Sequence, residues 1–414
     1  MKKMGVALLA VILLLTITAC GNEKASSSGE KEITILYVGD QFWQDQAAEF
    51  EEETGIKVNY EVVGFEQLHD KMFTALSGGS DDYDIIHVRD DWADEFASQG
   101  FLEPLDDYIT DDVKNSFSQL SFDNLSYDGN IYGVPRYLWL TQFYYNKEIF
   151  EEAGITKVPE TWDELIEVGK QIQEKTDIEY ALSTQLREQD AIRPFILNLR
   201  AEGGEFWDYS TNKPTFNTPE GLKSLQRLEE INMDAKILDP LSFENEASKD
   251  QFLQGKTAMF IGYPDIVGFA NDPEKSKIIG KLGTALMPGS TEKTSSLAET
   301  GAIGIPANSK HKEEAFEFIK FATSAEQEKK MALSEVARIP ANLDVLEDSE
   351  VLEKYPHFAY VSEQIQYPHG LFKHKQATLI SDTVSRQFIQ VIKGEKNAEK
   401  ALSDAEAEVL NINP

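Results

Sequence analysis

The chain has 414 residues, 41% of them apolar, enough for two or three domains or one large two-lobed body. Acidic residues number 72 against 39 basic ones, a net charge of −33, and no Lys/Arg run exceeds two, which argues against nucleic-acid binding. One cysteine excludes an intrachain disulfide, and with six histidines a thiolate–imidazole metal site is not expected.

Lys2 and Lys3 precede an apolar run from Val6 to about Ala19. That run is short of the ~20 residues a membrane span needs and fits the core of a secretory leader. The only cysteine, Cys20, follows Ile17-Thr18-Ala19, a stretch that resembles a bacterial lipobox. The resemblance implies a leader over 1–19, cleavage before Cys20 and acylation of its thiol, with two acyl chains giving stable anchoring. From Gly21 to Glu30 only Ala25 is apolar, so 20–32 reads as a lipidated cysteine and a flexible tether.

The body then alternates. Ile33 to Val38 reads as a buried strand and Gln44 to Glu53 as a helix stopped by Thr54-Gly55. Ile56 to Val63 is a second strand, Phe65 to Leu76 a second helix, Tyr83 to Val88 a third strand and Asp91 to Ser98 a third helix. Such an order predicts an α/β fold with a mainly parallel sheet flanked by helices, and ligands bind such sheets at the carboxyl ends of the strands. Further on, Thr161 caps a helix opening at Trp162, and Leu222 to Met233 is helical. Ala258 to Ile261 and Ile303 to Pro306 read as strands. Glu314 to Ala322, Ser324 to Leu333, Ala377 to Ile392 and Ala398 to Leu410 read as helices.

Most catalytic patterns fail. Gly255-Lys256-Thr257 lacks the upstream glycine of a phosphate loop, because Asp250 stands there. There is no Gly-x-Ser-x-Gly elbow, and without a His-Glu-x-x-His zinc helix no metal is expected. Acidic pairs such as Asp90-Asp91 would suit a glycosidase, but with so many carboxylates chance pairs are expected throughout. Aromatics beside carboxylates and amides say more: Phe42, Trp43, Trp92, Tyr137, Trp139 and Tyr263 fall near predicted strand ends or loops. A ring covers the apolar face of a sugar, and carboxylates, amides and guanidinium forks satisfy its hydroxyls.

Several phrases together resemble one family. Tyr83-Asp84-Ile85-Ile86, Trp92 and Phe96 to Leu105 resemble the first-lobe signature of bacterial extracellular solute-binding proteins, in the branch that includes maltose-binding protein. Tyr132-Gly133-Val134-Pro135 with Tyr144-Tyr145-Asn146-Lys147, Pro159 to Leu165, Phe252 to Met259, Ala315 to Phe321 and Gly394 to Leu402 continue the pattern. The resemblance implies a two-lobed receptor of an ABC importer, monomeric, without catalysis or cofactor. It would be lipid-anchored on the extracytoplasmic face of the membrane, as suits a Gram-positive surface, and would close on its ligand by a hinge. It implies a first lobe of about 33–138 plus 290–325, a second of 139–289 plus 326–410, and a hinge crossing at Pro135–Thr141. Carried over by position, the ligand contacts are Asp40, Gln41 and Trp43; Arg89, Asp91 and Trp92; Tyr137 and Trp139; Tyr263 and Asp265; and Glu299 and Thr300. Ala337-Arg338-Ile339-Pro340 departs from the family pattern, which leaves the role of Arg338 open. The implied ligand is a mono- or oligosaccharide, with a uronate if Arg89 or Arg136 lines the cleft. A polyamine receptor and a surface glycosidase or lyase are the alternatives.

Overall fold

The structure is a computed structural model that describes residues 31–38, 41–185, 188–334, 338–367 and 371–412. The predicted leader, Cys20 and Asp40 lie outside these residues.

Ten strands build the two larger sheets among the described residues. They are β1 (Glu32–Tyr37), β2 (Lys57–Val62), β3 (Ile85–Arg89), β4 (Val134–Leu140), β5 (Gln142–Asn146), β6 (Leu182–Thr184), β7 (Met259–Gly262), β8 (Leu282–Ala285), β9 (Ala298–Gly304) and β10 (Ile339–Pro340). The helices that matter for the site are α1 (Gln41–Thr54), α2 (Phe65–Ser77), α3 (Asp90–Ser98), α4 (Trp162–Lys175), α5 (Ile192–Ala201), α6 (Phe358–Gln364), α7 (Ala377–Ile392) and α8 (Ala398–Ile412).

Local chemistry sets the element ends. Thr161 caps α4, its Oγ1 accepting from the Glu164 N–H at 3.1 Å, while Glu164 Oε2 accepts from the Glu160 N–H at 2.7 Å. The helix expected from Leu222 starts earlier, at Pro219 behind a Thr218 cap, and passes into a π-turn over Glu230–Asp234.

The first sheet runs β10-β4-β9-β3-β1-β2 and the second β8-β5-β7-β6. Parallel pairing joins β1 to β2 and to β3, as the β-α-β order requires. Strand β9 returns from far along the chain and inserts antiparallel between β3 and β4. All seven of its residues are buried.

Each sheet centres its own core. Ile33, Ile35, Phe50, Ile85, Leu138, Ile303 and Phe318 belong to the first, and Phe143, Ile172, Phe195, Ile261, Phe388 and Val409 to the second. In the second, α7 is pinned by aromatic packing, with Phe388 centred 4.3 Å from Phe195.

Two expected boundaries move. Ala332, Ile339, Val345, Leu346, Val351, Phe358 and Val361 pack in the first core, and β10 pairs with β4, so the described chain returns to the second lobe only after α6. Met287 and Leu297 pack in the second core while Ala298 packs in the first, which puts the other return at Leu297–Ala298. Pro135–Leu140, expected as hinge, is strand, and the chain crosses at Thr141 between β4 and β5.

The crossings are tied to one another. The Thr141 N–H donates to the Leu297 carbonyl at 2.9 Å, and Ser296 Oγ donates to the Thr141 carbonyl at 2.7 Å. Gln364 on α6 is buried, and its Oε1 accepts from the Met287 N–H and from Thr294 Oγ1, both at 3.0 Å. Short hydrogen-bonded crossings let two lobes rotate about a shared line while each keeps its packing.

A second tie lies away from the crossings. Phe372 and His374 pack against Trp207 of the second lobe, and the Lys373 N–H donates to Tyr209 Oη at 2.8 Å. The Lys373 side chain reaches into the first lobe. Its Nζ donates to the Asp123 and Ser126 carbonyls at 2.7 and 2.6 Å and ion-pairs with Asp94 Oδ1 at 3.2 Å. Burial pushes the Asp94 carboxyl above its ordinary range, against the pull of Lys373. Lys373→Met is expected to cost about 2 kcal/mol in thermal unfolding and to raise the radius of gyration in small-angle scattering; an unchanged radius would show that Lys373 does not hold the lobes together.

Candidate ligand-binding site

The cleft between the lobes is floored on the first side by the carboxyl end of β3 and by β4 and β9. On the second side it is walled by the first turn of α5 and the loop after β7. Its centre is Glu299. The register of β9 sets Glu299 opposite Trp139 and Gly301 opposite both Arg89 and Tyr137. The Glu299 carboxylate, only 7% exposed, accepts from Arg89 Nη2 at 2.6 Å and from Arg193 Nη1. Tyr263 Oη donates to the same carboxylate at 3.3 Å. Arg89 belongs to the first lobe; Arg193 and Tyr263 belong to the second. One buried carboxylate thus ties the lobes across the cleft.

Burial works to raise the Glu299 carboxyl, and the two guanidinium groups overrule it and hold the group ionised. Burial, then the Glu299 charge, push the Tyr263 hydroxyl up to about 12, which keeps it a donor.

Aromatic faces surround this cluster. Trp139 of the first lobe stacks on Tyr263 of the second with centroids 5.3 Å apart and planes 29° apart, a contact worth about 1 kcal/mol beyond its buried area. Arg89 lies 5.1 Å over Trp92, and Arg338 lies 4.6 Å over Tyr137. Tyr137 lies flat across β9, where a Cβ on Gly301 would sit 2.2 Å from its ring. Only glycine admits the ring at that point. Asp90, buried at the head of α3, accepts the Thr300 N–H at 3.1 Å and fixes β9 against the cleft floor. Beneath Tyr263 and Arg193 a cavity of about 80 Å³ enters the second lobe between Thr141, Gln185, Leu197 and Ile261.

Of the residues singled out in the sequence, the structure brings Arg89, Trp92, Tyr137, Trp139, Tyr263, Glu299 and Thr300 to one place. Trp43 is elsewhere: it is 2% exposed, with the Arg136 guanidinium 3.4 Å from its ring centroid and Phe318 stacked at 6.2 Å. Its helix position turns it inward as a core ring. Asp265 ion-pairs with Lys249 at 3.0 Å. Asp40 lies outside the described residues, as do the side chains of Gln41 and Asp91, whose backbones occupy the first turns of α1 and α3.

Arg193 is the residue the sequence reading missed. It enters on α5, whose Ile192-Arg193-Pro194-Phe195 opening shows helix signals only in hindsight: a proline in the first turn and an apolar run behind it. His87 was missed too. It is 1% exposed, edge-on to Tyr37 at 4.6 Å and stacked on Tyr137 at 6.3 Å. Burial first, then Arg89, Arg338 and Arg136, hold its imidazole neutral.

Glu299→Ala is expected to destabilise the fold by about 3 kcal/mol, because two largely desolvated guanidinium groups are left facing each other. The folded carboxyl titrates below the unfolded one. The stabilisation is therefore present above the ordinary glutamate value of ~4.3 and is lost as pH falls through the lower folded value. Denaturant unfolding of both chains from pH 7 to pH 3 checks this: a difference that does not shrink towards acid would contradict the ion-pair account.

The profile of the family described as bacterial extracellular solute-binding protein matches residues 37–329. The diacetylchitobiose-binding protein of Streptomyces coelicolor is 28% identical over 357 residues, 79% of this chain and 80% of that protein. The arabinooligosaccharide-binding protein of Bacillus subtilis is 25% identical over 446 aligned positions, 98% of this chain and 99% of that protein. Among solved structures, maltose-bound MalE3 of T. maritima superposes with a TM-score of 0.82 at 24% identity, covering 92% of this chain and 99% of that one. The profile match over most of the chain and the two-lobed architecture agree: the chain belongs to the family of bacterial extracellular solute-binding proteins.

Proposed function

We propose that this protein is the membrane-anchored receptor of an ABC importer, capturing a mono- or oligosaccharide between its lobes and presenting it to the permease on closure. The observation that carries the reading is the Trp139–Tyr263 stack beside the Glu299–Arg89–Arg193 cluster. Rings from both lobes offer faces for the apolar side of a pyranose. Next to them stand a fixed carboxylate acceptor and guanidinium donors for its hydroxyls. A ligand touching both lobes favours the closed arrangement by whatever affinity it gains there. The names of the arabinooligosaccharide- and diacetylchitobiose-binding relatives support a glycan.

Trp92, Tyr137, Trp139 and Tyr263 supply the rings in this reading, and Arg89, Arg193, Glu299 and Thr300 the polar contacts. Asp40, Gln41 and Asp91 are further contacts that rest on the family resemblance alone. Trp43 stands behind the site as packing, and Asp265 acts through its pair with Lys249. The chain works as a monomer and catalyses nothing: Glu299 is held ionised by two guanidinium groups and is unfit to give a proton to a glycosidic oxygen.

Binding is tested by thermal unfolding with neutral and charged mono-, di- and trisaccharides, amino acids and polyamines. A ligand at 100 times its Kd is expected to stabilise by about 2.7 kcal/mol, the sugar should be recovered intact, and Trp139→Ala should abolish the shift. A polyamine or amino acid shifting the transition in place of any sugar would refute the glycan, and a cleaved sugar would refute the receptor.

Anchoring is tested separately. Cys20→Ser is expected to lose label from radioactive palmitate and to shed the protein into the medium; retention of the label would refute Cys20 as the acylated residue.

A further inference from the structure

Protein cores are packed closely enough to leave few spaces larger than a water molecule. The core of the second lobe keeps such a space, about 80 Å³, and it lies against the cleft. Its mouth is set by the carboxyl ends of β6 and β7 and by the first turn of α5, where Thr184, Gln185, Tyr263 and Arg193 stand. Its inner walls are Leu197, Leu228, Ile231, Leu238, Ile261 and Ile392, all buried members of that core. Asn198 also lines it, but the Asn198 amide is engaged within the lobe. Its Nδ2 donates to the Pro194 carbonyl at 2.9 Å, and its Oδ1 accepts from Arg227 Nη1 at 3.3 Å.

The backbone departs from regular form at the inner end. The helix Pro219–Glu229 widens there into the π-turn Glu230–Asp234, and Ile231 on the cavity wall belongs to that turn. Such turns are rare and recur at functional sites.

An apolar space of this kind stays dry and costs stability while it is empty. It suits an apolar guest. A cavity of about 150 Å³ takes benzene, so 80 Å³ matches a group of about three heavy atoms. The mouth adds one polar requirement. Gln185 Oε1 accepts from the Tyr263 N–H at 3.2 Å, which fixes the orientation of the amide and leaves Nε2 as its donor at the mouth. A plain alkyl chain makes no use of that donor. An acyl group answers both demands, with a carbonyl oxygen for the mouth and a short chain for the interior.

The mouth is also tied to the state of the lobes. Tyr263 and Arg193 stand over it, and both reach Glu299 on the first lobe. A group seated in the cavity is therefore covered by the same contacts that join the lobes.

We propose that the cavity beneath Tyr263 and Arg193 receives a short acyl group, such as acetyl, carried by the captured glycan. Its chain packs on Leu197, Ile231 and Ile392, and its carbonyl accepts from Gln185 Nε2. The inference rests on the carbohydrate reading above and narrows it to acylated sugars.

The test is calorimetric titration of the full chain with matched mono- and disaccharides. Each parent sugar is compared with its N- and O-linked acetyl, propanoyl and hexanoyl derivatives, and with an alkyl ether of the acetyl length. The acetyl or propanoyl form is expected to bind about tenfold tighter than the parent. The hexanoyl form is expected to lose that gain, and the ether to fall short of the acyl form. The linkage that gains identifies how the group is attached. Leu228→Phe, which fills the cavity, is expected to remove the gain while the parent sugar still binds, with thermal unfolding showing that the variant is folded. Gln185→Met, at the partly exposed mouth and needing no core repacking, is expected to bring acyl form and ether level. A parent sugar that binds as tightly as every acyl form overturns the inference and leaves the glycan receptor standing. An ether as tight as the acyl form in the unaltered protein, or a gain that survives Leu228→Phe, overturns it in the same way. Failure of every sugar, acylated or not, overturns the glycan reading and this inference with it.

Discussion

A carboxylate shut away from water has to be answered by positive charge, and in this molecule the answer comes from both lobes. Glu299 sits on a strand whose seven residues are all buried, and neither Arg89 nor Arg193 alone would offset its desolvation. That need aligns the rest of the site. It fixes how far β9 slides past β3 and β4, because a shift of one residue would turn Glu299 to the opposite face of the sheet. It fixes where α5 stands, since Arg193 has to reach across the cleft. It also places Tyr263 so that its hydroxyl meets the carboxylate and its ring meets Trp139.

The arrangement separates what is rigid from what turns. Each lobe has its own sheet and core, while the crossings at Thr141 and Leu297 are bound to each other and α6 is bound to the backbone of Met287. Rotation about such a line disturbs few contacts within either lobe. Away from the crossings, described contacts join the lobes in the cleft and at Lys373, and a ligand bound between the lobes favours closure by the affinity it gains there.

What the sequence revealed and what it hid divide along the range of the interactions. The strands and helices from Ile33 to Ser98 follow from apolar runs and from stops such as Thr54-Gly55, and Thr161 announces α4 by a capping bond made three residues away. Resemblance to a family supplied the two lobes and most of the cleft residues. Signals that depend on distant partners were lost. Pro135 to Leu140 looks like a crossover and is a strand because β9 and β10 pair with it. The segment from Ala332 to Val361 looks like second-lobe sequence and is held in the first by a sheet edge formed elsewhere. Trp43 reads as an aromatic near a strand end, and only the fold brings Arg136 over its face. Arg193 gave no warning, since nothing near it in sequence hints at Glu299.

The insertion of β9 also constrains the route by which the chain folds. After β4 is made, the polypeptide leaves for the second lobe and returns only at Ala298. Until then β3 and β4 are open edges with apolar faces, and the parallel set β2-β1-β3 lacks the strand that joins it to β4. The first lobe therefore cannot complete its sheet from its own leading segment. It is finished by β9, β10 and the helices as far as Val361, while the second lobe waits longer, for α7 and α8. Pairings so distant in sequence are slow to form, and the chain spends its early life with unpaired edges. The strand that delivers Glu299 to the cleft is thus also the step that ends the first lobe's exposure to aggregation.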